Sequence, residues 1–210
     1  MPALSRRKPS PALRLFAMTE GDWNGHRIMI AEAGYPGTPG YRLLVPSSAV
    51  DATRRALLAG GAATAEPDAL ETVRIESGVP RFGVDMTEDN FPPEARIETR
   101  AVSYTKGCFP GQEPIVMARD RAGRVNRSFL GLKILDTLIP TAETRLTADG
   151  QEVGMITSST WSPRLGAPLA LGYIHWKHAQ TGNRLLADTP KGPVEVEVLG
   201  YPPFSRLSGG

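Results

Sequence analysis

Cysteine is nearly absent: Cys108 is the only one in 210 residues. The chain therefore cannot build an internal disulfide framework, and a lone thiolate cannot hold a metal ion or a cluster unaided. A reducing compartment fits this usage, so the cytoplasm is expected, or the mitochondrial matrix for a eukaryotic chain. No apolar run approaches the ~18 residues that a membrane-spanning helix requires, and no membrane partner is expected. Acids are missing from residues 1–19, where Arg6, Arg7, Lys8 and Arg14 stand with Ser5 and Ser10. That composition is close to an organelle transit peptide, but Pro2, Pro9 and Pro11 would break an amphipathic helix, so a disordered basic tail is expected there. Net charge is only +2, too small by itself to imply nucleic acid or membrane. There is no internal repeat, P-loop, dinucleotide fingerprint or serine-nucleophile elbow.

Turn-forming residues are abundant, with 22 glycines and 19 prolines. With 40% hydrophobic residues there is enough apolar material for a core, and the Gly/Pro content favours many strands and turns over a helical bundle. Strands are predicted at 26–32 and 41–45, joined by the Gly/Pro-rich stretch 34–40. A helix with Ser47 as N-cap is predicted up to Gly60-Gly61, and a second from Pro67 to Ser77, with Gly78 as the left-handed residue that ends it. Residues 81–105 read mostly as loop. A short helix comes next, from Gly111 to about Arg121, with Pro114 tolerated in its first turn. Beyond Val125 the segments 129–135, 152–160, 169–176, 184–188 and 194–200 alternate with turn residues, the pattern of a small antiparallel barrel or sandwich. The expected class is α+β. The expected divisions are a tail at 1–19, a mixed domain at 20–123 and a β domain at 124–210.

Three features carry chemical interest. Glu76 falls at the C-terminal end of a predicted helix, where the macrodipole disfavours an acid; a salt bridge, simple exposure or a ligand that wants a carboxylate would account for it. Between Ala95 and Lys133 stand eight basic residues (Arg96, Arg100, Lys106, Arg119, Arg121, Arg124, Arg127 and Lys133) against three acids. That excess suits an anion-attracting surface, for a ligand carboxylate or RNA, or an ordinary solvated face. In Lys106-Gly107-Cys108-Phe109-Pro110-Gly111-Gln112-Glu113 a cysteine lies between glycines just before a helix N-terminus. Lys106 and the helix dipole would there favour thiolate, while a small buried hydrophobe beside a turn is the alternative. His175 and His178 lie in a strand-to-turn context without a third ligand nearby, so no metal site is assigned. Trp161 and Trp176 are expected to pack the barrel rather than to form a base-stacking platform.

The motif K-G-C-F-x-G-Q-E at 106–113 resembles the signature of the YgfZ-type folate-binding proteins, relatives of the glycine-cleavage T protein. RIESGVPRFGVDMTEDNFPPEA (74–95) resembles the R-x-E-x-G-x-P-R-x-G-x-D segment shared with the T protein. ARDRAGRVNRSFLGLKI (118–134) is similar to the family stretch just downstream of the K-G-C motif. GMITSSTWSPRLGAPLALGYI (154–174) is similar to a pattern of their C-terminal barrel. The likeness runs from about Gly25 to Pro203. It implies a T-protein-like folate-binding domain, present in part, with a C-terminal antiparallel β-barrel after it. It also implies tetrahydrofolate or another folate as ligand. Glu76 would bond the pterin ring, Arg119 would take the folate glutamate tail with Arg127 as second candidate, and Lys106, Gly107, Cys108, Gly111, Gln112 and Glu113 would form the functional motif.

Relatives in the aminomethyltransferase branch carry K-G-D-F-x-G, so Cys108 and the Gln112-Glu113 pair point to the YgfZ branch. The implied function is a folate-binding accessory protein that supports assembly or repair of iron–sulfur enzymes, more a helper than an enzyme, with iron–sulfur enzymes or assembly proteins as partners. A folate-dependent aminomethyl or one-carbon transferase is the alternative, and an RNA-linked tRNA-modification factor the second; nucleic acid is the least favoured partner. The family also has a folate-binding segment ahead of the strand at His26, which is missing here. A second chain or copy would complete the site, the chain as given starts too late, or tight folate binding has been lost.

Overall fold

The computed structural model describes residues 17–23, 25–35, 38, 40–103, 107–108, 110–120 and 125–204. The tail expected at 1–19 lies outside them except for its last three residues, and the division expected at 123/124 also lies outside them. By compactness the chain divides into two units, one ending at Glu66 and the other beginning at Pro67.

The first unit holds an antiparallel meander of β1 (Met18–Trp23), β2 (His26–Glu32) and β3 (Tyr41–Leu44), in that order. β1 is not anticipated from the sequence, and it claims Met18 and Thr19 from the expected tail. Its register with β2 closes on Trp23 opposite His26, and Gly25 takes φ 78° in the turn, a value that glycine reaches without strain. Ser47 is not a helix N-cap. Residues Ser47–Ala49 form a single 3-10 turn without a side-chain cap, and α1 (Val50–Ala59) starts after it. Among the described residues of this unit, only Ile28, Ala49 and Thr53 are buried.

The second unit opens with α2 (Pro67–Glu76). Pro67 presets the first turn and Asp68 faces the positive helix end. The stop is a Schellman motif: Val79 N–H bonds Arg74 C=O, Gly78 N–H bonds Ile75 C=O, and Gly78 sits at φ 70°. A side chain at Gly78 would also collide with Pro203, 2.8 Å from where its Cβ would stand. Turns and the short α3 (Glu98–Ala101) come next, and α4 (Gln112–Asp120) begins directly after Gly111, at φ 79°.

Six strands then close a barrel in the order β4-β7-β6-β5-β8-β9, all antiparallel. They are β4 (Arg127–Ile134), β5 (Arg145–Ala148), β6 (Gln151–Ser162), β7 (Ala167–His175), β8 (Arg184–Thr189) and β9 (Gly192–Gly200). β5 is absent from the sequence reading; the others lie within three residues of it. Alternation along the strands creates two cores. Leu130, Leu132 and Ile134 of β4, with Ala170 and Ile174 of β7, point into the barrel beside Leu146, Ile156 and Val196. The intervening Phe129, Leu169, Leu171 and Tyr173 form a second cluster with Ile75 of α2 and Phe204. β4 and β7 are thus covered on both faces, which explains their nearly unbroken apolar runs. Removing the fully buried Ile75 side chain down to Ala would cost ~2–5 kcal/mol of this helix-on-barrel packing. Trp161 and Trp176 do not pack the barrel as expected: their relative exposures are 44% and 55%.

Candidate functional site

α2 is joined to β6 by polar links at three of its residues. The innermost centres on Arg74, 4% exposed, and Asp85, 2% exposed. Arg74 donates through Nη1 to Asp85 Oδ2 at 2.6 Å and to the Val79 carbonyl at 2.5 Å. Its Nη2 donates to Ser158 Oγ and Glu71 Oε1, both at 2.8 Å, and its Nε to Glu71 Oε2 at 3.0 Å. All five guanidinium N–H groups are therefore satisfied. Asp85 is equally full, since Thr157 and Ser158 hydroxyls donate to Oδ1 and the Arg81 N–H to Oδ2. Thr157 and Ser158 are chain neighbours, which in a regular strand would face opposite ways. A β-bulge between Ile156 and Ser158 turns both to one carboxylate. The bond from Arg74, its charge and that of Arg81 hold the Glu71 carboxyl below its ordinary value of 4.5 against the opposing effect of burial.

The other two links flank this one. Thr72 and Thr160 hydroxyls share a hydrogen bond of 2.8 Å. Glu76, half-buried at the last turn of α2, accepts at Oε1 from Ser162 Oγ at 2.6 Å and from the Arg164 N–H at 3.3 Å. The acid at the wrong end of a helix is stabilised by donors from the end of β6 and the turn after it. Among the described residues no hydrogen bond reaches Oε2. Arg164 itself lays its guanidinium over the Phe204 ring, 4.2 Å from the centroid. Glu76 is named by the sequence reading, whereas Ser162 and Arg164 are not; both stand in the quoted SPRL stretch, without any local signal that they would meet a helix some 86 residues upstream.

Arg127 stands elsewhere. It pairs with His175 at one end of β7, while Ser162 pairs with Ala167 at the other. Eight residues of strand separate those ends, roughly 26 Å at the usual rise. Arg127 Nε donates to Glu94 Oε2 at 3.1 Å, and its guanidinium lies 5.1 Å from the centroid of Tyr173. The structure therefore does not bring Arg127 to Glu76. Burial raises the Tyr173 phenol well above its ordinary value, outweighing the nearby Arg127 charge, and its hydroxyl has no hydrogen-bond partner among the described groups. Arg119 lies in α4, with a side chain outside the described residues.

In the K-G-C motif, Lys106 and Phe109 lie outside the described residues. Cys108 is exposed, which sets aside its reading as a small buried hydrophobe. Gln112 and Glu113 open α4, with Glu113 placed favourably in the first turn. Among the described residues no group of three or more metal-ligating side chains occurs, and no helix is long and apolar enough to cross a membrane. An open depression of about 410 Å³ lies on the barrel flank between β5 and β8, bordered by Asp149, His178, Arg184 and Glu195, none of which touches the Glu76 network.

Residues 127–205 match the family model of the glycine cleavage T-protein C-terminal barrel domain. The aminomethyltransferase of Saccharopolyspora erythraea is 32% identical over 200 residues, covering 92% of this chain and 54% of that protein. The aminomethyltransferase of Desulforamulus reducens is 30% identical over 198 residues, with the same coverage. The crystal structure of the glycine cleavage system aminomethyltransferase T from Bartonella henselae superposes with a TM-score of 0.74 at 23% identity, covering 84% of this chain and 49% of that one. The chain thus spans about half the length of these relatives. Residues 127–205 therefore carry the glycine cleavage T-protein C-terminal barrel domain, and the chain as a whole is similar in sequence to aminomethyltransferases and shares the fold of one of them.

Proposed function

We propose that this chain binds a reduced folate, with Glu76 reading the pterin ring. The observation that carries this is the state of the Glu76 carboxylate: Oε1 is held by two donors from the end of β6 and the turn after it, while Oε2 accepts nothing from the described residues. A fixed, half-buried carboxylate with one open oxygen suits the N–H edge of a pterin, because a charge-assisted hydrogen bond there gives both affinity and orientation. The fit is therefore good on the pterin side. When bound, tetrahydrofolate would supply a nitrogen that carries a one-carbon unit. On the protein side, Glu76 would hold and orient the ring, and the buried Arg74–Asp85 network ties the helix that carries Glu76 to β6. Arg119 stays the candidate for the glutamate tail, with Arg127 as the second.

For the role of the folate complex we favour an accessory function toward iron–sulfur enzymes, supported by the K-G-C-F-x-G-Q-E sequence and the exposure of Cys108. An aminomethyl or one-carbon transferase is the competing reading, supported by the names of the relatives. Titration with tetrahydrofolate beside a Glu76→Ala variant tests the first statement: saturable binding that the variant loses is expected, and no binding by the native chain overturns it. Cys108→Ser decides the role. Loss of iron–sulfur enzyme activity in cells relying on that variant supports the accessory reading, and folate-dependent turnover indifferent to it supports the transferase.

A further inference from the structure

We propose that Ser162 is a positioning residue for Glu76, fixing Oε1 so that Oε2 alone faces the ligand, and that the end of β6 and the turn after it thereby set affinity for the pterin half of folate. This rests on the folate reading above. Ser162 is fully buried at 0% exposure. Its hydroxyl accepts the Leu165 N–H at 3.0 Å, so its single hydrogen is left to point at Glu76 Oε1, 2.6 Å away. A hydroxyl has one donor hydrogen, and here its direction is dictated by the turn. With the Arg164 N–H as second donor at 3.3 Å, both acceptor directions of Oε1 are taken. Rotation of the carboxylate is blocked, and a ligand presenting parallel N–H groups must aim them at Oε2 rather than straddle both oxygens. Glu76 is therefore a directed acceptor whose aim is set 86 residues away in the barrel.

A positioning role differs from plain attachment of the helix, and Thr160 provides the comparison. Its hydroxyl also ties α2 to β6, at 2.8 Å through Thr72, without touching Glu76. In the full chain, Ser162→Ala and Thr160→Val each remove one such link. The experiment is anaerobic calorimetric titration of the native chain and both variants with tetrahydrofolate and with tetrahydropterin, alongside thermal melting. Loss of a hydrogen bond to a charged group predicts that Ser162→Ala weakens both ligands about tenfold, while Thr160→Val binds as the native chain does and melts no higher than Ser162→Ala. Native affinity in Ser162→Ala overturns the proposal, as does an equal loss in Thr160→Val, which would mark the seam as structural support only. Unchanged affinity in Glu76→Ala is a separate result, since it removes the folate reading itself and this inference with it.

Discussion

Asp85 shows how completely one side chain can be bound by its surroundings. Two hydroxyls, one guanidinium N–H and one backbone N–H occupy its two oxygens, and the carboxylate has 0% side-chain exposure. A buried pair of this kind contributes little over a well-packed apolar substitute, yet removing one partner leaves the other charge stranded. Asp85→Ala is expected to destabilise the second unit by ~3–5 kcal/mol, because Arg74 then keeps its charge without its buried counter-ion. Urea unfolding followed by far-ultraviolet circular dichroism measures this. A loss below ~1 kcal/mol, the range of exposed pairs, would mean that water replaces the carboxylate in solution.

At the scale of elements, the seam between α2 and the barrel combines an apolar patch around Ile75 with the polar links on either side of it. Glu71 makes part of this seam sensitive to acid. Its folded-state value is depressed below 4.5, chiefly by the hydrogen bond from Arg74. A group with a depressed folded value adds stability that is fully present above its unfolded value and is lost as pH falls through the folded one. Stability of the second unit should therefore decline as pH drops below about 4.5, and Glu71→Gln should flatten that decline while lowering stability at neutral pH. Denaturant midpoints measured from pH 3 to pH 7 provide the check; equal slopes for both proteins would exclude Glu71 as the source.

Across the whole molecule, burial is distributed unevenly. The second unit contains both hydrophobic clusters, whereas the described part of the first unit buries only Ile28, Ala49 and Thr53. Tyr41, Leu43 and Leu44 of β3 are exposed, as are Leu57 and Leu58 of α1. Backbone hydrogen bonds open most readily where few apolar contacts cover them. Hydrogen exchange of the full chain should show amides of β2 and β3 exchanging at least tenfold faster than those of β4 and β7, and comparable protection in the two sheets would contradict this account.

The sequence by itself determined the local elements whose signals are local. Pro67, the i, i+3, i+7 pattern and Gly78 delimit α2 because helix entry and exit depend on backbone freedom within a few residues. The barrel strands are legible for the same reason, as apolar runs broken by turn residues. β5 escaped because four residues, RLTA, show no clear period, and β1 because MTEGDW is largely polar, although Asn24-Gly25 is a hairpin dipeptide. Glu76 stood out in the sequence by its place at a helix end, while its proposed ligand role and that of the motif at 106–113 came from family resemblance. Only the tertiary structure decided what Glu76 touches. Ser162 and Arg164 reach it across 86 and 88 residues, a pairing set by how α2 packs on β6. Tertiary structure likewise gave Arg127 and Glu76 different surroundings, since Arg127 pairs with His175 at one end of β7 while Glu76 bonds Ser162, which pairs with Ala167 at the other. Periodicity states which face a residue occupies, but where two distant faces meet is settled by the packing of the core between them.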